Sequence, residues 1–157
     1  MIGRRLAIAI VFGLGVVVLA ACSKATPPDE ATLRAEDKQG LEQIVALDVR
    51  ASMAMRDADT ATGRGDAGAA AEIVGARARP AVEEGLAAAA GATMRTAWGN
   101  AKREELLGIL RDRKAQMPSY EEAVKGGDPE RMLAAIEAQA AIERRALATV
   151  AAVRAGR

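Results

Sequence analysis

The stretch Gly126-Gly127-Asp128-Pro129 marks the clearest helix boundary in the sequence. Glycine readily takes the left-handed conformation that ends a helix, so one helix is expected to stop here. Asp128 can then accept hydrogen bonds from the free amides of the next helix, and Pro129 suits its first position because its φ is already helical. The stretch therefore predicts a tight turn between two long helices.

A second turn of the same form, Thr62-Gly63-Arg64-Gly65-Asp66, lies 62 residues earlier. It again places glycine before a capping aspartate. Two such turns predict two helical hairpins. We therefore expect an all-α fold, an antiparallel four-helix bundle.

The composition and the apolar spacing agree with this fold. Alanine is abundant, and Ala, Leu, Glu, Arg and Met lead the helix propensity order, whereas only 2% of the residues are aromatic. The expected helices cover residues 31–61, 67–98, 101–117 and 129–154. We expect Gly99 and Asn100 to end the second helix and cap the third, Pro80 to bend the second, and Pro118 to interrupt the third before a short piece capped by Ser119.

The N-terminal residues form a separate segment. Arg4 and Arg5 precede an apolar run over residues 6–18, which is shorter than the about 20 residues of a membrane-spanning helix. The run closes on Leu19-Ala20-Ala21-Cys22, which resembles the lipobox of bacterial lipoprotein precursors. The resemblance predicts a signal peptide over 1–21, a lipidated Cys22 with a proline-containing tether over 22–30, and a helical domain over 31–157. The alternative is an uncleaved membrane helix with an incidental cysteine.

In lipoprotein precursors of this kind the cysteine thiol is diacylated and the peptide is cut before the cysteine. Two or three acyl chains hold a protein firmly on a bilayer without a membrane-spanning segment. Ser23 follows the cysteine, and the resemblance implies outer-membrane sorting when that position is not aspartate. The expected location is therefore the bacterial cell envelope, on the periplasmic face of the outer membrane.

The composition argues against several classes of function. The chain has no histidine and only one cysteine, which removes common general bases and metal ligands. Its 22 basic and 21 acidic residues indicate no bulk attraction to nucleic acid. No nucleophile–base pair or phosphate-binding glycine loop is recognisable. We therefore expect no enzyme activity, no cofactor, no metal and no nucleic-acid partner.

One polar cluster is predicted where a bundle core should be dry. On the last helix, Glu143 lies within the face expected to be buried, with Gln139 one turn away; that face comprises Met132, Ile136, Ala140, Leu147 and Val150. Across the hairpin, Arg113 lies among apolar residues of the third helix. An Arg113–Glu143 ion pair is predicted inside or at the lip of the bundle, as a register-fixing pair or as a ligand or partner site. Asp48 is interpreted as a boundary residue beside the apolar stripe of the first helix.

Two functions remain open from the sequence. The first is a non-enzymatic envelope lipoprotein that binds another envelope protein. The alternative is a helical module that senses a small solute or metal between its helices, and an inhibitor or immunity-type lipoprotein is a third class. A filled core with an exposed apolar stripe would favour a protein partner, whereas a large dry cavity would favour a ligand.

Overall fold

A computed structural model describes residues 28–157 of the chain. These residues form helices joined by short turns, without a strand among them, and the predicted all-α bundle is confirmed. The helices are α1 (Glu30–Gly63), α2 (Ala67–Ile73), α3 (Arg79–Gly91), α4 (Ala97–Gly126) and α5 (Pro129–Ala155), with a π-helical segment (Val74–Ala78) joining α2 to α3. The bundle thus has four rods, since α2, the π-helical segment and α3 run on as one. Within residues 28–157, none of the helices combines the length and the hydropathy needed to cross a bilayer.

Both predicted glycine–aspartate turns are present. Gly65 and Gly127 have φ angles of 78° and 62°, in the left-handed region that glycine tolerates best. The Asp66 carboxylate accepts from the amide of Ala69 at 2.9 Å, and Asp128 caps α5 through the amides of residues 130 and 131. These local contacts end one helix and start the next within three residues.

The connection between the second and third rods differs from the prediction. The second rod ends at residue 91 rather than 98, and α4 is capped by Thr96, whose Oγ1 accepts from the amide of Gly99 at 2.9 Å. Gly99 and Asn100 therefore lie inside α4, and their predicted roles as stop and cap are wrong. The physical reason is a contact from α1. The buried carboxylate of Asp37 accepts from the amides of Arg95 and Thr96, both at 2.8 Å, and so holds the chain extended before the cap.

The two internal prolines have different effects. Pro80 lacks the amide that would bond to residue 76, and the helix widens just before it into the π-helical segment, where the Arg79 amide bonds to the Val74 carbonyl. Pro118 does not interrupt α4, which continues to Gly126 without the predicted cap at Ser119. Pro118 lies on the exposed face of α4, where a displaced carbonyl can reach water.

The long helix α1 packs against all the other helices and organises the core. One face of α1 is buried, at Ile44, Ala51, Met55 and Ala58, which follow one another at helical spacing. Close approach is visible at Gly85 of α3, where an added Cβ would lie 3.0 Å from the side chain of Leu110 in α4. The absence of a side chain at Gly85 therefore brings α3 and α4 close together at this contact.

The buried face of α5 is rotated from the predicted one. Ile136 and Leu147 were expected in the core, but 41% and 57% of their surface is exposed. Ala135, Ile142 and Ala146 are buried instead, and Ile142 and Ala146 pack with an isoleucine of α4. Alanines occur all around α5, so the apolar pattern alone did not identify which face of the helix is buried.

Candidate functional site

Arg113 on α4 is the centre of the polar cluster. Its side chain is only 1% exposed, although it is the largest charged side chain in the core. Its Nε donates to Asp48 Oδ1 at 2.7 Å, and its Nη2 donates to Glu143 Oε2 at 3.0 Å. One buried guanidinium thus joins carboxylates from two other helices, α1 and α5.

Glu143 lies at the lip of the bundle, with 19% of its side chain exposed. Its second oxygen, Oε1, accepts from Ser52 Oγ at 2.6 Å and from Arg56 Nη2 at 2.5 Å. Burial alone would raise the pKa of Glu143, but the hydrogen bonds from Ser52, Arg113 and Arg56 outweigh it, so the pKa lies below its ordinary value. Glu143 is therefore an ionised bridge between α1, α4 and α5.

The electrostatics of the cluster favour the charged forms of Arg113 and Glu143. Burial by itself would lower the pKa of Arg113, but hydrogen bonds and attraction from Asp48 and Glu143 raise it. Two guanidinium groups, Arg113 and Arg56, face two carboxylates, so the formal charges balance. Such a balanced buried pair specifies how helices align more than it adds to stability.

The sequence predicted part of this cluster. Arg113 and Glu143 meet as expected, but Asp48 is fully buried and forms the closer contact with the guanidinium. The signal for its burial, though not for its contact with Arg113, was present, because Asp48 falls at helical spacing between Ile44 and Ala51, which are buried. Interpreting it as a boundary residue was therefore wrong.

Gln139, the third predicted member, is buried one turn from Glu143. Among residues 28–157 it makes no hydrogen bond to Arg113 or Glu143, and its Oε1 has no partner there. The Nη1 of Arg113 is likewise without a partner in that range. Gln139 thus belongs to the core beside the cluster and not to the bonded network.

A solvent-open cleft of about 380 Å³ lies directly over the cluster, between α1 and α5. Its floor contains Asp48, Ser52 and Glu143, and its walls carry the exposed side chains of Met53 and Leu147. The cleft combines large apolar contact groups with charges that are already bonded to one another. Such a cleft is better suited to binding an apolar surface than to catalysis, because its charged groups are already bonded to one another.

Two further polar contacts hold helices together away from the cleft. Burial would raise the pKa of Asp37, but hydrogen bonds from the Thr96 side chain and from backbone amides outweigh it and lower the pKa. The Tyr120 hydroxyl donates to Asp59 Oδ1 at 2.8 Å, and burial raises the pKa of both groups. Sequence reasoning did not single out these residues, since each contact joins residues about 60 positions apart.

Within residues 28–157, no group of three acidic, cysteine or histidine residues is placed to hold a metal ion. Cys22, the predicted lipidation site, lies outside the described residues. No family model, curated protein or solved structure matches the chain. The function therefore has to be inferred from the residues and the surface themselves.

Proposed function

We propose that this protein is a lipid-anchored component of a bacterial cell envelope that acts without catalysis, by binding another envelope protein through its helical bundle. The anchor part of the proposal comes from Leu19-Ala20-Ala21-Cys22, with Cys22 as the lipidated residue. The residues that follow, up to about residue 30, would act as a short tether. The bundle would then lie at the periplasmic face of the outer membrane.

The observation that carries the binding proposal is a set of exposed large apolar side chains on α1 and α5. Between 41% and 59% of each is exposed, and the set comprises Met53, Leu133, Ile136 and Leu147. Three of the four lie on one helix, and the fourth faces Leu147 across the cleft. Grouped apolar side chains of this size, next to charged groups, are typical of protein-binding surfaces.

The alternative function, a module that binds a small solute between helices near Arg113 and Glu143, has weaker support. The bonds of both groups are largely taken up within the protein, by Asp48, Ser52 and Arg56. A charged solute entering the cleft would have to displace these bonds in a partly buried place. A protein that covers Met53 and Leu147 would leave them intact.

The binding proposal is tested with a photo-reactive amino acid at position 147 of the full chain in living cells. Irradiation is expected to produce a covalent protein adduct, because the Leu147 side chain points into the surface that the partner would cover. Ala90 on α3 is exposed and serves as the matched control position. Absence of any adduct at 147, or the same adducts at 90, would contradict the proposal.

The anchor is tested separately by Cys22→Ser. Acyl chains each contribute about 0.8 kcal/mol per buried methylene, so their loss should release the protein from membranes. Labelling with a radioactive fatty acid and fractionation measure both effects. Continued membrane attachment of the Cys22→Ser chain would favour the uncleaved membrane helix instead.

A further inference from the structure

The exposed side of α5 carries a seven-residue apolar repeat. Leu133, Ala140 and Leu147 occupy one position of the repeat, and the position three residues further on holds Ile136, Glu143 and Val150. Spacing of three and four residues in alternation is the pattern of a helix that pairs with another helix. Val150 is buried against the bundle, but Leu133, Ile136 and Leu147 are largely exposed. The repeat thus borders the α1–α5 cleft at Leu147 and Val150, and its first two apolar members, Leu133 and Ile136, are uncovered.

The apolar positions of the repeat face one another when a second copy of the helix runs in the opposite direction. In an antiparallel pair of helices, the first position of one repeat faces the fourth position of the other. A two-fold axis between residues 141 and 142 then puts Ile136 opposite Leu147 of a second copy, and the same contact occurs twice by symmetry. Ala140 lies next to the axis, where its small side chain lets the two backbones come close. This register pairs the exposed Ile136 and Leu147 side chains twice, and it sets Leu133 opposite Val150 of the second copy, which is buried against its own bundle.

The charges beside the repeat fit the same register. Glu137 and Arg144 are exposed, and each lies one position after the repeat. In the antiparallel arrangement Glu137 lies beside Arg144 of the second copy, again twice by symmetry. Among residues 28–157, neither residue takes part in an ion pair within the chain. In a parallel pair this edge of one helix would lie beside the opposite edge of the other, so Glu137 would not meet Arg144, and the charges favour the antiparallel orientation.

Glu143 lies within this seam, opposite Ala140 of the second copy, but it does not oppose pairing. Its carboxylate is already bonded to Ser52 and Arg56 of α1 and to Arg113 of α4. No new unpaired charge is therefore buried when a second helix covers the edge of the cleft. Met53 of α1 lies on the far wall of the cleft and adds apolar contact for the incoming helix.

We infer that α5 pairs antiparallel with α5 of a second copy of this chain, with Ile136 against Leu147 and Glu137 beside Arg144 across the two-fold axis. This inference rests on the proposed function, because it names the partner of the same apolar surface. Both lipid anchors of such a pair would insert in one membrane, which holds the copies at a high effective concentration.

Cysteine cross-linking of the full chain in its membrane tests the register. Ala140→Cys should give a disulfide-linked dimer under mild oxidation, since the two residues 140 lie near the axis. Ile136→Cys alone and Leu147→Cys alone should give none, because equivalent residues lie roughly 16 Å apart along the axis at about 1.5 Å per residue. The combined Ile136→Cys/Leu147→Cys chain should cross-link. The parent chain, with only Cys22, is the control.

A charge exchange tests the pairing by an independent route. Using the Ala140→Cys chain, Glu137→Arg should lower the cross-linked fraction several-fold, and Arg144→Glu should do the same. The exchanged chain with both changes should regain the original fraction, because the opposite charges meet again. Both residues are exposed, so the variants are expected to fold like the parent, which circular dichroism checks.

The outcomes separate this inference from the proposed function. Cross-linking of Ile136→Cys alone would indicate a parallel pair, and failure of the exchange to restore the dimer would show that these charges do not meet; either result overturns the inference. An adduct at position 147 with the mass of a different protein, together with no Ala140→Cys dimer, overturns the second copy as partner and leaves the proposed function standing. Absence of both the dimer and any adduct overturns both.

Discussion

Replacing Asp48 by asparagine should be among the most destabilising single changes that leave the shape of the core intact. The side chain keeps its size, but Arg113 loses the charged partner that it contacts at 2.7 Å, in a place where the guanidinium is 1% exposed. Removing one member of a buried ion pair costs about 3–5 kcal/mol, because the remaining charge stays out of water. Glu143 still bonds to Arg113 at 3.0 Å, so the expected loss is at the lower end, about 3 kcal/mol.

That loss is a large part of the about 5–15 kcal/mol that stabilises a typical domain. Urea unfolding followed by circular dichroism measures it as a lower midpoint with an unchanged slope. Asp57→Asn is the matched control, because Asp57 lies on the same helix and its ion pair with Arg77 is exposed. The control should change the free energy of unfolding by less than about 0.5 kcal/mol.

The double variant Asp48→Leu/Arg113→Met separates a charge effect from simple loss of packing. If the cost of Asp48→Asn comes from an uncompensated guanidinium, removing both charges should recover most of it. A free energy of unfolding for Asp48→Asn within about 0.5 kcal/mol of that of the parent chain would refute an uncompensated buried charge as the cause. A double variant less stable than Asp48→Asn would refute it as well.

Gly99, Asp37 and Asp128 each make a contact whose loss should change the stability of the bundle. Gly99→Ala should lower the free energy of unfolding by at least about 1 kcal/mol, since an added Cβ would collide with the Asp37 carboxylate. Thermal melts compare it with the control Gly91→Ala, where an added Cβ would meet open space. The pKa of Asp37 is lowered in the folded chain, so the unfolded chain takes up the proton first as the pH falls. The contribution of Asp37 to the free energy of unfolding is therefore complete above about pH 4 and is lost as the pH falls further. Asp37→Asn should flatten the dependence of that free energy on pH below about pH 4, and an unchanged slope would contradict the assignment. Asp128→Ala should cost about 1 kcal/mol through loss of the α5 cap, and calorimetry showing no change would disprove that role.

The sequence predicted the elements whose cause is local. The turns at Gly65-Asp66 and Gly127-Asp128 need only a left-handed glycine and a side chain that bonds two or three residues ahead, so they could be identified without the tertiary structure. The α3–α4 connection could not. Its extended form depends on Asp37, which lies about 60 residues away along the chain and reaches the amides at 95 and 96 only after α1 has packed beside them.

The candidate site was predictable in part for the same reason. Arg113 and Glu143 belong to one hairpin, and its turn sets their relative height, so their meeting follows from counting residues away from the turn. Asp48 comes from another hairpin, and the position of α1 against α4 depends on how all the rods pack. The closest partner of Arg113 was therefore beyond local reasoning.

The chain by itself determined that it forms four helical rods, where two of the turns lie, and that Arg113 and Glu143 share a hairpin. Only the tertiary structure decided how each rod is rotated about its own axis. On α5 alanines surround the helix, so the burial energy changes little with rotation and neighbouring helices set the angle. That rotation buries Ile142 and leaves Leu133, Ile136 and Leu147 exposed, and it is the physical origin of the surface from which a function is proposed.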